Sequence, residues 1–379
     1  MKFVHLSDLH IGKRVNEYPM IEDQKYILGK ILEIIDEEKP DAVFISGDVY
    51  DKPVPPAEAV QVFDSFLVSL ADRKLDVFVI SGNHDSPERV AFGSRLMDSS
   101  GIHISPVYEG NVEPRVMKDS YGEIGIYMLP FIKPAHVRRF YPEEEIVTYT
   151  DAVKCALKHM GIDCNKRNII LTHQFVTGAL RSDSEEISVG GSDNVDAAAF
   201  EDFDYTALGH IHRPQNIGSE KIRYCGTPLK YSVSEAGHVK SVTVGELKEK
   251  GSLTVREIPL VPLRDVRTIK GNYQDIAYKG FYENTTFRDD YMHIILTDED
   301  DIPDAVGKLR TIYRNLIKLE YDNRRTRENS LIEGAEDTEN RTPLELFGEF
   351  FELQNNSPMS DEQREYMEKL IEEVWGVSE

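Results

Sequence analysis

The sequence of 379 residues suits two or three domains, and its 40% hydrophobic and 29% charged residues are typical of a soluble globular protein. No apolar run approaches the roughly 18 residues of a membrane span, and Asp8 comes too early for a secretory signal, so we expect a cytoplasmic protein without a membrane partner. The formal net charge of −23 argues at face value against nucleic acid, although the 14 acidic and 3 basic residues after Ser330 carry almost half of it.

Short apolar strands alternate with amphipathic helices as far as about residue 260. The clearest strands are residues 43–46, 77–81, 169–172 and 205–208, and helical spacing of apolar side chains occurs at residues 27–35 and 60–67. Shorter strands at residues 222–225 and 241–244 predict a second sheet packed on the first. The pattern predicts an α/β fold for residues 1–262, a two-sheet sandwich flanked by helices, with functional loops at the carboxyl ends of the strands.

The rest of the chain has a different pattern. Residues 263–322 predict a small α+β domain, in which strands between residues 266 and 296 are followed by a helix from about residue 303 to 319. Residues 323–342 are polar and lack apolar periodicity, so we interpret them as a linker. Residues 343–379 predict a tail of two short helices. The sequence has no phosphate-binding P-loop, so any ATP dependence would have to come from a partner.

Five strand-end segments share one design, a strand that runs into a turn bearing side chains of the metal-ligand type. They are Asp8-Leu9-His10, Gly47-Asp48, Gly82-Asn83-His84-Asp85, Thr172-His173 and Gly209-His210-Ile211-His212. The spacing of two in the first and fifth segments places both ligands on one side of an extended chain. A single such histidine is more often a hydrogen-bonded residue at a strand end, but five segments together favour a metal centre. The other histidines lack this setting, and we interpret them as structural or surface residues: His5, His103, His136, His159, His238 and His293.

The donors in these segments indicate which metal they would hold. Carboxylate, imidazole and amide groups without a thiolate favour Mn²⁺, Fe²⁺ or Zn²⁺ over Ca²⁺ or a closed structural zinc site. The donors exceed the needs of one ion, and two ions about 3.5–4 Å apart would use them all while leaving room for water and a phosphate. Such a centre would supply hydroxide near neutral pH and stabilise charge on phosphoryl oxygens. Cys155, Cys164 and Cys225 show neither metal-binding nor disulfide spacing, so we expect reduced thiols.

The ordered motifs Asp-x-His, Gly-Asp, Gly-Asn-His-Asp, His and Gly-His-x-His resemble those of the calcineurin-like metallophosphoesterase superfamily over about residues 1–235. Longer stretches around the motifs resemble the SbcD family, the nuclease subunits of bacterial SbcCD complexes; they are residues 5–14, 190–193, 207–215 and 226–232. The resemblance covers nearly the whole chain, most weakly after Glu320. It implies a metallophosphoesterase sandwich, a DNA-binding capping domain at residues 263–322 and a helical segment at residues 343–379 that binds the partner ATPase.

The resemblance also implies two metal sites that share a carboxylate. One metal would be bound by Asp8, His10, Asp48 and His212. The second would be bound by Asp48, Asn83, His173 and His210. Mn²⁺ is the ion that the resemblance favours for both sites. Two divalent cations against two carboxylates would leave a local charge of about +2, which could hold a phosphate on this acidic protein.

The remaining motif residues receive roles from the same resemblance. His84 would be the catalytic residue that faces the phosphate, where it would stabilise the transition state or protonate the leaving 3′ oxygen. Asp85 would orient its neighbours. Several archaeal and eukaryotic relatives have a histidine three residues after the shared aspartate, where this chain has Asp51. A carboxylate cannot supply the same imidazole, so we assign Asp51 no catalytic role.

The implied function is hydrolysis of DNA in repair and recombination, by double-strand exonuclease and single-strand or hairpin endonuclease activity. ATP dependence would come from an SbcC-type ABC ATPase in a heterotetramer of two nuclease and two ATPase subunits, with a homodimer formed through the nuclease domain. One alternative is a phosphoesterase for a small substrate, which would need neither a second domain nor a hydrophobic tail. Another is a catalytically inactive scaffold, which would be expected to lack ligands, yet all seven candidates are present.

Two surfaces outside the motifs are candidates for contacts with partners. Arg310, Arg314 and Lys318 recur every four residues, so on a helix they would form one basic face for DNA, or alternatively a solvated face paired with nearby carboxylates. The tail is rich in aromatic and aliphatic side chains, which would be exposed unless something covers them. They would pack on the chain's own domain or dock on the SbcC-type partner; the residues we assign to docking are Phe347, Phe350, Phe351, Leu370 and Trp375.

Overall fold

The computed structural model describes residues 1–182, 185, 194–326, 344, 347–348, 351 and 359–375, with side chains described as far as Ile371. The chain divides into two compact units, Met1–Asp265 and Val266–Glu379. None of the helices in these described ranges combines the length and the hydropathy that a membrane crossing requires.

The first unit is built from many short strands with helices between them. Its strands are β1 (Lys2–Leu6), β2 (Arg14–Val15), β3 (Tyr18–Pro19), β4 (Ala42–Ser46), β5 (Asp76–Ile80), β6 (Ile102–Ile104), β7 (Arg115–Asp119), β8 (Gly122–Leu129), β9 (Arg167–His173), β10 (Phe175–Val176), β11 (Asn194–Val195), β12 (Tyr205–Gly209), β13 (Gln215–Ile217), β14 (Ser219–Tyr224), β15 (Ser241–Leu247) and β16 (Leu253–Pro259). Its α-helices are α1 (Ile21–Glu38), α2 (Ala57–Asp72), α3 (Pro87–Val90), α4 (Ser94–Met97), α5 (Pro134–Arg138) and α6 (Tyr149–His159). Short 3-10 helices lie at Asp98–Ser100, Ala197–Phe200 and Val233–Glu235.

Two large sheets form the core of this unit. The first has the strand order β16-β15-β1-β4-β5-β6 and the second the order β13-β14-β12-β9-β8-β7. Apolar side chains of both sheets form one buried cluster, in which the rings of Phe3 and Tyr205 lie 4.8 Å apart between centroids. The predicted two-sheet α/β sandwich is therefore confirmed, and burial of these facing side chains supplies its main driving force.

The division of strands between the sheets differs from the prediction. Strand β15, predicted for the second sheet, pairs antiparallel with β1 in the first, with Val4 opposite Val244. Strands β9 and β12 pair with each other in the second sheet, with Thr206 opposite Ile170. The prediction was wrong here because apolar periodicity marks a strand but carries no information about its neighbour, which depends on where the chain returns.

Helices cover the sheets through their apolar faces. α1 buries Ile27, Ile31 and Ile35 along one side, and α6 packs Val153 and Ala156 into the cluster of the second sheet. In α2 the buried face contains Phe63 and Leu67, as predicted, whereas Val60 is 43% exposed. The periodic pattern correctly predicted the helix, but it included Val60, which does not lie on the buried face.

The second unit has a three-stranded parallel sheet, in the order β17 (Val266–Gly271), β18 (Tyr291–Leu296) and β19 (Asn315–Tyr321). Its described helices are α7 (Tyr273–Ala277), α8 (Lys279–Tyr282), α9 (Ala305–Arg310) and α10 (Asp361–Trp375). Its buried core contains Ile276 from α7, Met292 and Ile294 from β18, Leu309 from α9 and Tyr313.

The predicted helix over residues 303–319 is wrong. The helix ends at Arg310, and the chain turns into β19, which pairs parallel with β18. Leu309, Tyr313 and Leu316 are all buried at spacings of four and three, which explains the helical pattern in the sequence. Strand pairing is favoured over a longer helix because β18 is the central strand. Without β19, one row of its backbone hydrogen-bonding groups would lack partners. Arg310, Arg314 and Lys318 consequently do not share a helix face.

Parts of the predicted organisation lie outside the described residues. These are the motif at residues 190–193, residues 327–342 of the linker, and Phe350 of the tail. Trp375 is the last residue of α10, but its side chain also lies outside the described part.

Candidate metal centre

The motif residues follow the carboxyl ends of strands in both sheets. Asp8 and His10 follow β1, Asp48 follows β4, and Asn83 follows β5, all in the first sheet. In the second sheet His173 ends β9, and His210 and His212 follow β12. Parallel strands of one sheet end at one edge, and the stacked sheets bring their two edges together. The topology therefore gathers all five segments at one end of the sandwich.

Glycines allow the strand-end segments of the site to approach one another closely. A Cβ atom on Gly209 would lie 1.9 Å from the carbonyl oxygen of Ser46, and one on Gly82 would lie 2.1 Å from Oδ1 of Asp48. Both positions therefore need a residue without a side chain.

Strained backbone accompanies this convergence. Left-handed φ angles occur at four non-glycine residues of the site: Asp8 at 52°, His10 at 43°, Asp48 at 49° and His210 at 104°. Strain of this kind persists only where the surrounding structure fixes it, and it is concentrated at functional sites.

Asp8, His10 and His212 form one buried group whose donor atoms lie within 4.8 Å of one another. The Nε2 atoms of His10 and His212 are 3.2 Å apart and point at each other. One carboxylate oxygen of Asp8 accepts a hydrogen bond from the hydroxyl of Ser7, and the other accepts from the backbone N–H of His210 at 3.0 Å. The group therefore presents two imidazole nitrogens and a carboxylate to one point.

Asp8, Asp48 and His173 form a second buried group with the same spacing. Nε2 of His173 lies 3.3 Å from Oδ2 of Asp48 and 4.0 Å from Oδ1 of Asp8. The amide oxygen of Asn83 lies 3.0 Å from Nε2 of His173 and 2.9 Å from Nδ1 of His210. An oxygen and two nitrogens thus converge beside the two carboxylates.

Asp48 lies between the two groups. Its Oδ2 is 3.7 Å from Nε2 of His10 in the first group and 3.3 Å from Nε2 of His173 in the second. The two groups as defined by distance share Asp8, whereas the sequence-based expectation has Asp48 as the shared ligand. Asp8 is a member of both groups, and Asp48 lies within 3.7 Å of a ring nitrogen in each of them.

The electrostatics of the site fit bound cations. Burial lowers the pKa of His10 well below its ordinary value and that of His210 to about 3, so both imidazoles are neutral donors. Burial raises the pKa of Asp8, because its carboxylate has lost water. Burial opposes a charge on His173 too, but the Asp48 carboxylate outweighs it and raises the pKa of His173 to about 9. A proton on that ring balances a buried anion, a task that a divalent cation among these oxygen and nitrogen donors would perform better.

Hydrogen bonds on the far side of two imidazoles orient their donor nitrogens. Nδ1 of His173 donates to the carbonyl oxygen of Ser46 at 2.8 Å, which leaves Nε2 directed at the centre. Nδ1 of His212 faces Oε1 of the buried Glu235 at 3.4 Å, with the same effect on its Nε2. Such partners of the ligands usually decide which ring nitrogen is available to a metal.

His84 and Asp85 have separate positions beside the centre. The His84 ring is half-buried and lies 5.0 Å from the ring of His10, and its Nδ1 is 3.2 Å from the carbonyl oxygen of Asp51. Asp85 is buried and accepts backbone N–H groups of Val49, Tyr50 and Gly82, each at 3.0 Å. Burial and the nearby Asp48 carboxylate raise the pKa of Asp85 to about 6. Its three acceptor contacts hold the turns after β4 and β5 together.

Sequence reasoning missed the residues that support the first group. Gln24 donates to the carbonyl oxygen of His10 at 2.7 Å and to the hydroxyl of Tyr231 at 3.0 Å, and that hydroxyl donates to the carbonyl oxygen of Leu9 at 2.5 Å. Glu235 and Lys240 lie behind His212. The stretch 226–232 stood out in the sequence and contains Tyr231, but nothing in the local pattern marks Gln24, Glu235 or Lys240.

The proposed DNA-binding and partner-binding residues belong to the second unit. Lys318 lies on β19 and pairs with Glu320 at 2.7 Å, and Arg314 lies 3.8 Å from Asp289. In the tail, Phe347 and Phe351 are half-buried and line a cavity of about 280 Å³ with residues of α10. On α10 itself Leu370 is 39% exposed and Tyr366 66% exposed.

Comparison with known proteins identifies the family. The profile of the calcineurin-like phosphoesterase family matches residues 1–214, and that of the type 5 capsule protein repressor C-terminal domain matches residues 262–355. Among solved structures, a dimetal phosphatase from Danio rerio superposes with a TM-score of 0.40 at 12% identity, covering 69% of this chain and 96% of that one.

Two curated relatives extend the match over most of the chain. The SbcD subunit of the SbcCD nuclease from Staphylococcus epidermidis is 34% identical over 323 residues, which cover 84% of this chain and 85% of that protein. The SbcD protein of Staphylococcus saprophyticus is 33% identical over 323 residues, 84% of each chain. With its phosphoesterase profile and these relatives, the chain belongs to the calcineurin-like phosphoesterases and, within them, to the family of SbcD nuclease subunits.

Proposed function

We propose that this chain is the metal-dependent DNA nuclease subunit of an SbcCD-type complex, acting in DNA repair and recombination. The observation that carries the proposal is the convergence of two buried donor groups, Asp8 with His10 and His212, and Asp8 with Asp48 and His173, at one end of the sandwich. The similarity to the two staphylococcal SbcD proteins supports the choice of nuclease and of complex. A cytoplasmic location accompanies this proposal, because bacterial chromosomal DNA lies there.

We assign the donors to two metal sites that share Asp48. The first comprises Asp8, His10, Asp48 and His212. The second comprises Asp48, Asn83, His173 and His210. The position of Oδ2 of Asp48 between His10 and His173 supports the shared role. Oxygen and imidazole donors without a thiolate suit Mn²⁺, Fe²⁺ or Zn²⁺, and among these we propose Mn²⁺, the ion that the resemblance to SbcD nucleases favours.

The bound ions would activate a water and stabilise charge on the phosphoryl oxygens. The residues of the chain perform the remaining tasks. The neutral rings of His10 and His210 and the amide of Asn83 fix the donor geometry, and Gly82 and Gly209 let the segments that carry these donors approach closely.

His84 is the catalytic residue in this proposal. Its Nδ1 is directed at the carbonyl oxygen of Asp51, so Nε2 is the atom available to a phosphate or a leaving oxygen. Asp85 has no contact with the reacting groups in this assignment. It keeps the turns that carry Asp48 and Asn83 at a fixed separation through its backbone hydrogen bonds.

The remaining parts of the chain would bind DNA and protein partners. We assign residues 1–262 to the nuclease domain, 263–322 to a DNA-binding capping domain, 323–342 to a linker and 343–379 to the segment that binds the SbcC-type ATPase. The apolar groove of Phe347 and Phe351 with α10 supports the last assignment, because a groove of this kind suits a partner helix. Together with a homodimer of the nuclease unit, this contact would give a heterotetramer of two nuclease and two ATPase subunits.

The nuclease unit also carries exposed apolar side chains that we assign to a homodimer contact. Phe92 is 84% exposed and Leu96 82% exposed, in and beside α4. Two large apolar side chains exposed to water within five residues of each other are costly, and a second copy of the chain would cover them. Phe92→Glu combined with Leu96→Glu should convert a dimer into a monomer in light-scattering measurements; a dimer that survives would contradict this contact.

We assign the contacts between DNA and the second unit to Arg310, Arg314 and Lys318. The side chains of Arg314 and Lys318 are 68% and 44% exposed, although Arg314 lies 3.8 Å from Asp289 and Lys318 is paired with Glu320. Reversing the charges of Arg314 and Lys318 should weaken duplex binding at low salt. Unchanged affinity at low salt would remove these residues from the proposal.

The nuclease assignment is tested by cleavage of linear duplex and hairpin DNA with Mn²⁺, with and without the SbcC-type partner and ATP. We expect metal-dependent cutting that Asp48→Ala abolishes. Activity that survives this substitution would contradict the two-metal mechanism. Turnover of a small phosphoester without any cutting of DNA would favour a phosphoesterase for small substrates instead.

A further inference from the structure

A buried ion pair lies directly behind one of the proposed metal ligands. Glu235 and Lys240 are 0% and 5% exposed, and Nζ of Lys240 lies 2.5 Å from Oε2 of Glu235. The other carboxylate oxygen of Glu235 faces Nδ1 of His212 at 3.4 Å. Removing two charges from water in this way is unfavourable unless their attraction and further hydrogen bonds offset the cost.

The same ion pair also holds the backbone of His212. Nζ of Lys240 donates to the carbonyl oxygen of His212 at 2.8 Å and to the hydroxyl of Thr227 at 2.7 Å. The backbone N–H of Thr227 donates to that carbonyl oxygen at 3.2 Å. The ring and the backbone carbonyl group of His212 are therefore both held by residues between Thr227 and Lys240.

We infer that Glu235, held by Lys240, is a positioning residue that keeps His212 in the Nδ1–H tautomer with Nε2 directed at the first metal site. This inference rests on the proposed function of that site. The Glu235 carboxylate accepts a hydrogen bond from Nδ1–H of His212. The lone pair of Nε2 therefore faces the centre, where Nε2 of His10 lies 3.2 Å away. Lys240 neutralises Glu235 and fixes the direction of its oxygens.

The two metal sites differ in this respect. His173, in the second site, is oriented by the carbonyl oxygen of Ser46, which no side-chain substitution removes. His212, in the first site, depends on a carboxylate side chain. A carboxylate behind a ligand imidazole also raises the basicity of that imidazole. Loss of Glu235 should therefore weaken one of the two metal sites and spare the other.

The test is a calorimetric titration of the metal-free full-length protein with Mn²⁺. The wild type should bind two ions. Glu235→Gln, and Glu235→Gln combined with Lys240→Met, should lower the affinity of one ion roughly 10- to 100-fold and leave the other unchanged. The double variant leaves no unpaired charge in the core. Asp204→Asn is the control, because Asp204 is 3% exposed and accepts backbone N–H groups of Asn168 and Gly251 at the amino ends of β9 and β12, the opposite ends of these strands from the ligands; it should keep both affinities.

The results separate failure of this inference from failure of the proposed function. Two ions bound by both Glu235 variants with wild-type affinity would overturn the positioning role. A wild type that binds no pair of ions would instead contradict the metal centre itself. Should the variants not fold, the imidazole nitrogen resonances of His212 in the metal-free wild type decide the matter, since a proton on Nε2 rather than Nδ1 would also overturn the inference.

Discussion

The backbone N–H of His84 donates a hydrogen bond to Oδ1 of Asp48 at 2.9 Å. This contact holds the carboxylate so that its other oxygen, Oδ2, faces the ring nitrogens of His10 and His173. The side chain of His84 takes no part in it. The residue proposed for catalysis therefore supports the proposed shared ligand through its peptide group, and its imidazole can be changed without removing that support.

Replacing His84 should separate catalysis from metal binding. His84→Ala keeps the peptide hydrogen bond to Asp48, so we expect two Mn²⁺ ions to bind with nearly wild-type affinity in calorimetry. Cleavage of duplex DNA should fall about 10²- to 10⁴-fold, the usual contribution of one proton-transfer or charge-stabilising group. Loss of metal binding in a folded His84→Ala protein would mean that the ring is a ligand.

Replacing Asn83 should have the opposite pattern. Its amide oxygen lies within 3.0 Å of donor nitrogens of both His173 and His210, so Asn83→Ala removes a donor from the second site alone. We expect one Mn²⁺ to bind as in the wild type and the other at least 10-fold more weakly, the scale on which even supporting residues of a metal site act. Two unchanged affinities would exclude Asn83 as a ligand.

Bound metal should stabilise the folded chain, because the unfolded chain lacks the site. At a free Mn²⁺ concentration of 100 times Kd, each site should add about 2.7 kcal/mol to the free energy of unfolding. Thermal unfolding with increasing Mn²⁺ measures the effect. Asp48→Asn removes the negative charge of the proposed shared ligand and should largely abolish the rise in Tm; an equal rise in this variant would contradict its place at the centre.

Gly209 should tolerate no side chain. A Cβ atom there would meet the carbonyl oxygen of Ser46 at 1.9 Å, across the gap between the two sheets. We expect Gly209→Ala to lower the free energy of unfolding by about 1–3 kcal/mol, or more if the backbone cannot shift. Gly29→Ala is the matched control, since its Cβ would meet nothing within 4 Å and it lies inside α1, where alanine is favoured by up to about 1 kcal/mol. Equal effects in urea unfolding would contradict the steric argument.

The location of the candidate site could be predicted from the sequence because its signal is local. Each ligand follows an apolar strand by a few residues, and the carboxyl ends of parallel strands coincide, so Asp8 and Asp48, which follow the neighbouring strands β1 and β4, converge once the strands are recognised. The partners of these ligands could not be predicted in the same way. Glu235 reaches His212 across 23 residues and Gln24 reaches Tyr231 across 207, and no periodic pattern links them.

The errors in the fold have the same physical origin. Leu309, Tyr313 and Leu316 have helical spacing. Leu316 nevertheless lies in β19, because this strand supplies hydrogen-bonding partners for the backbone of β18. The placement of β15 beside β1 likewise depends on pairing between residues more than 200 positions apart. Local propensity predicts elements, but competition for distant partners decides their ends and neighbours.

Asp119 should make stability depend on pH in the acidic range. Its carboxylate binds the guanidinium of Arg167 at 2.5 and 3.0 Å and the α-amino group of Met1 at 2.6 Å. The Arg167 hydrogen bond holds the pKa of Asp119 well below its ordinary value of 3.8. The folded state therefore binds this proton less readily than the unfolded state, so the stabilisation is present above about pH 4 and is lost as the pH falls towards the folded pKa.

Asp119→Asn should lower the free energy of unfolding by about 1.5–3 kcal/mol at pH 7, the scale of hydrogen bonds to a charged group, and progressively less below pH 4. Urea unfolding at pH 7, 5, 4 and 3 measures this difference. Glu123→Gln, which breaks the exposed pair with Lys166, should change little at any pH. A cost for Asp119→Asn that is the same at pH 7 and pH 3 would show that the carboxylate acts by shape and not by charge.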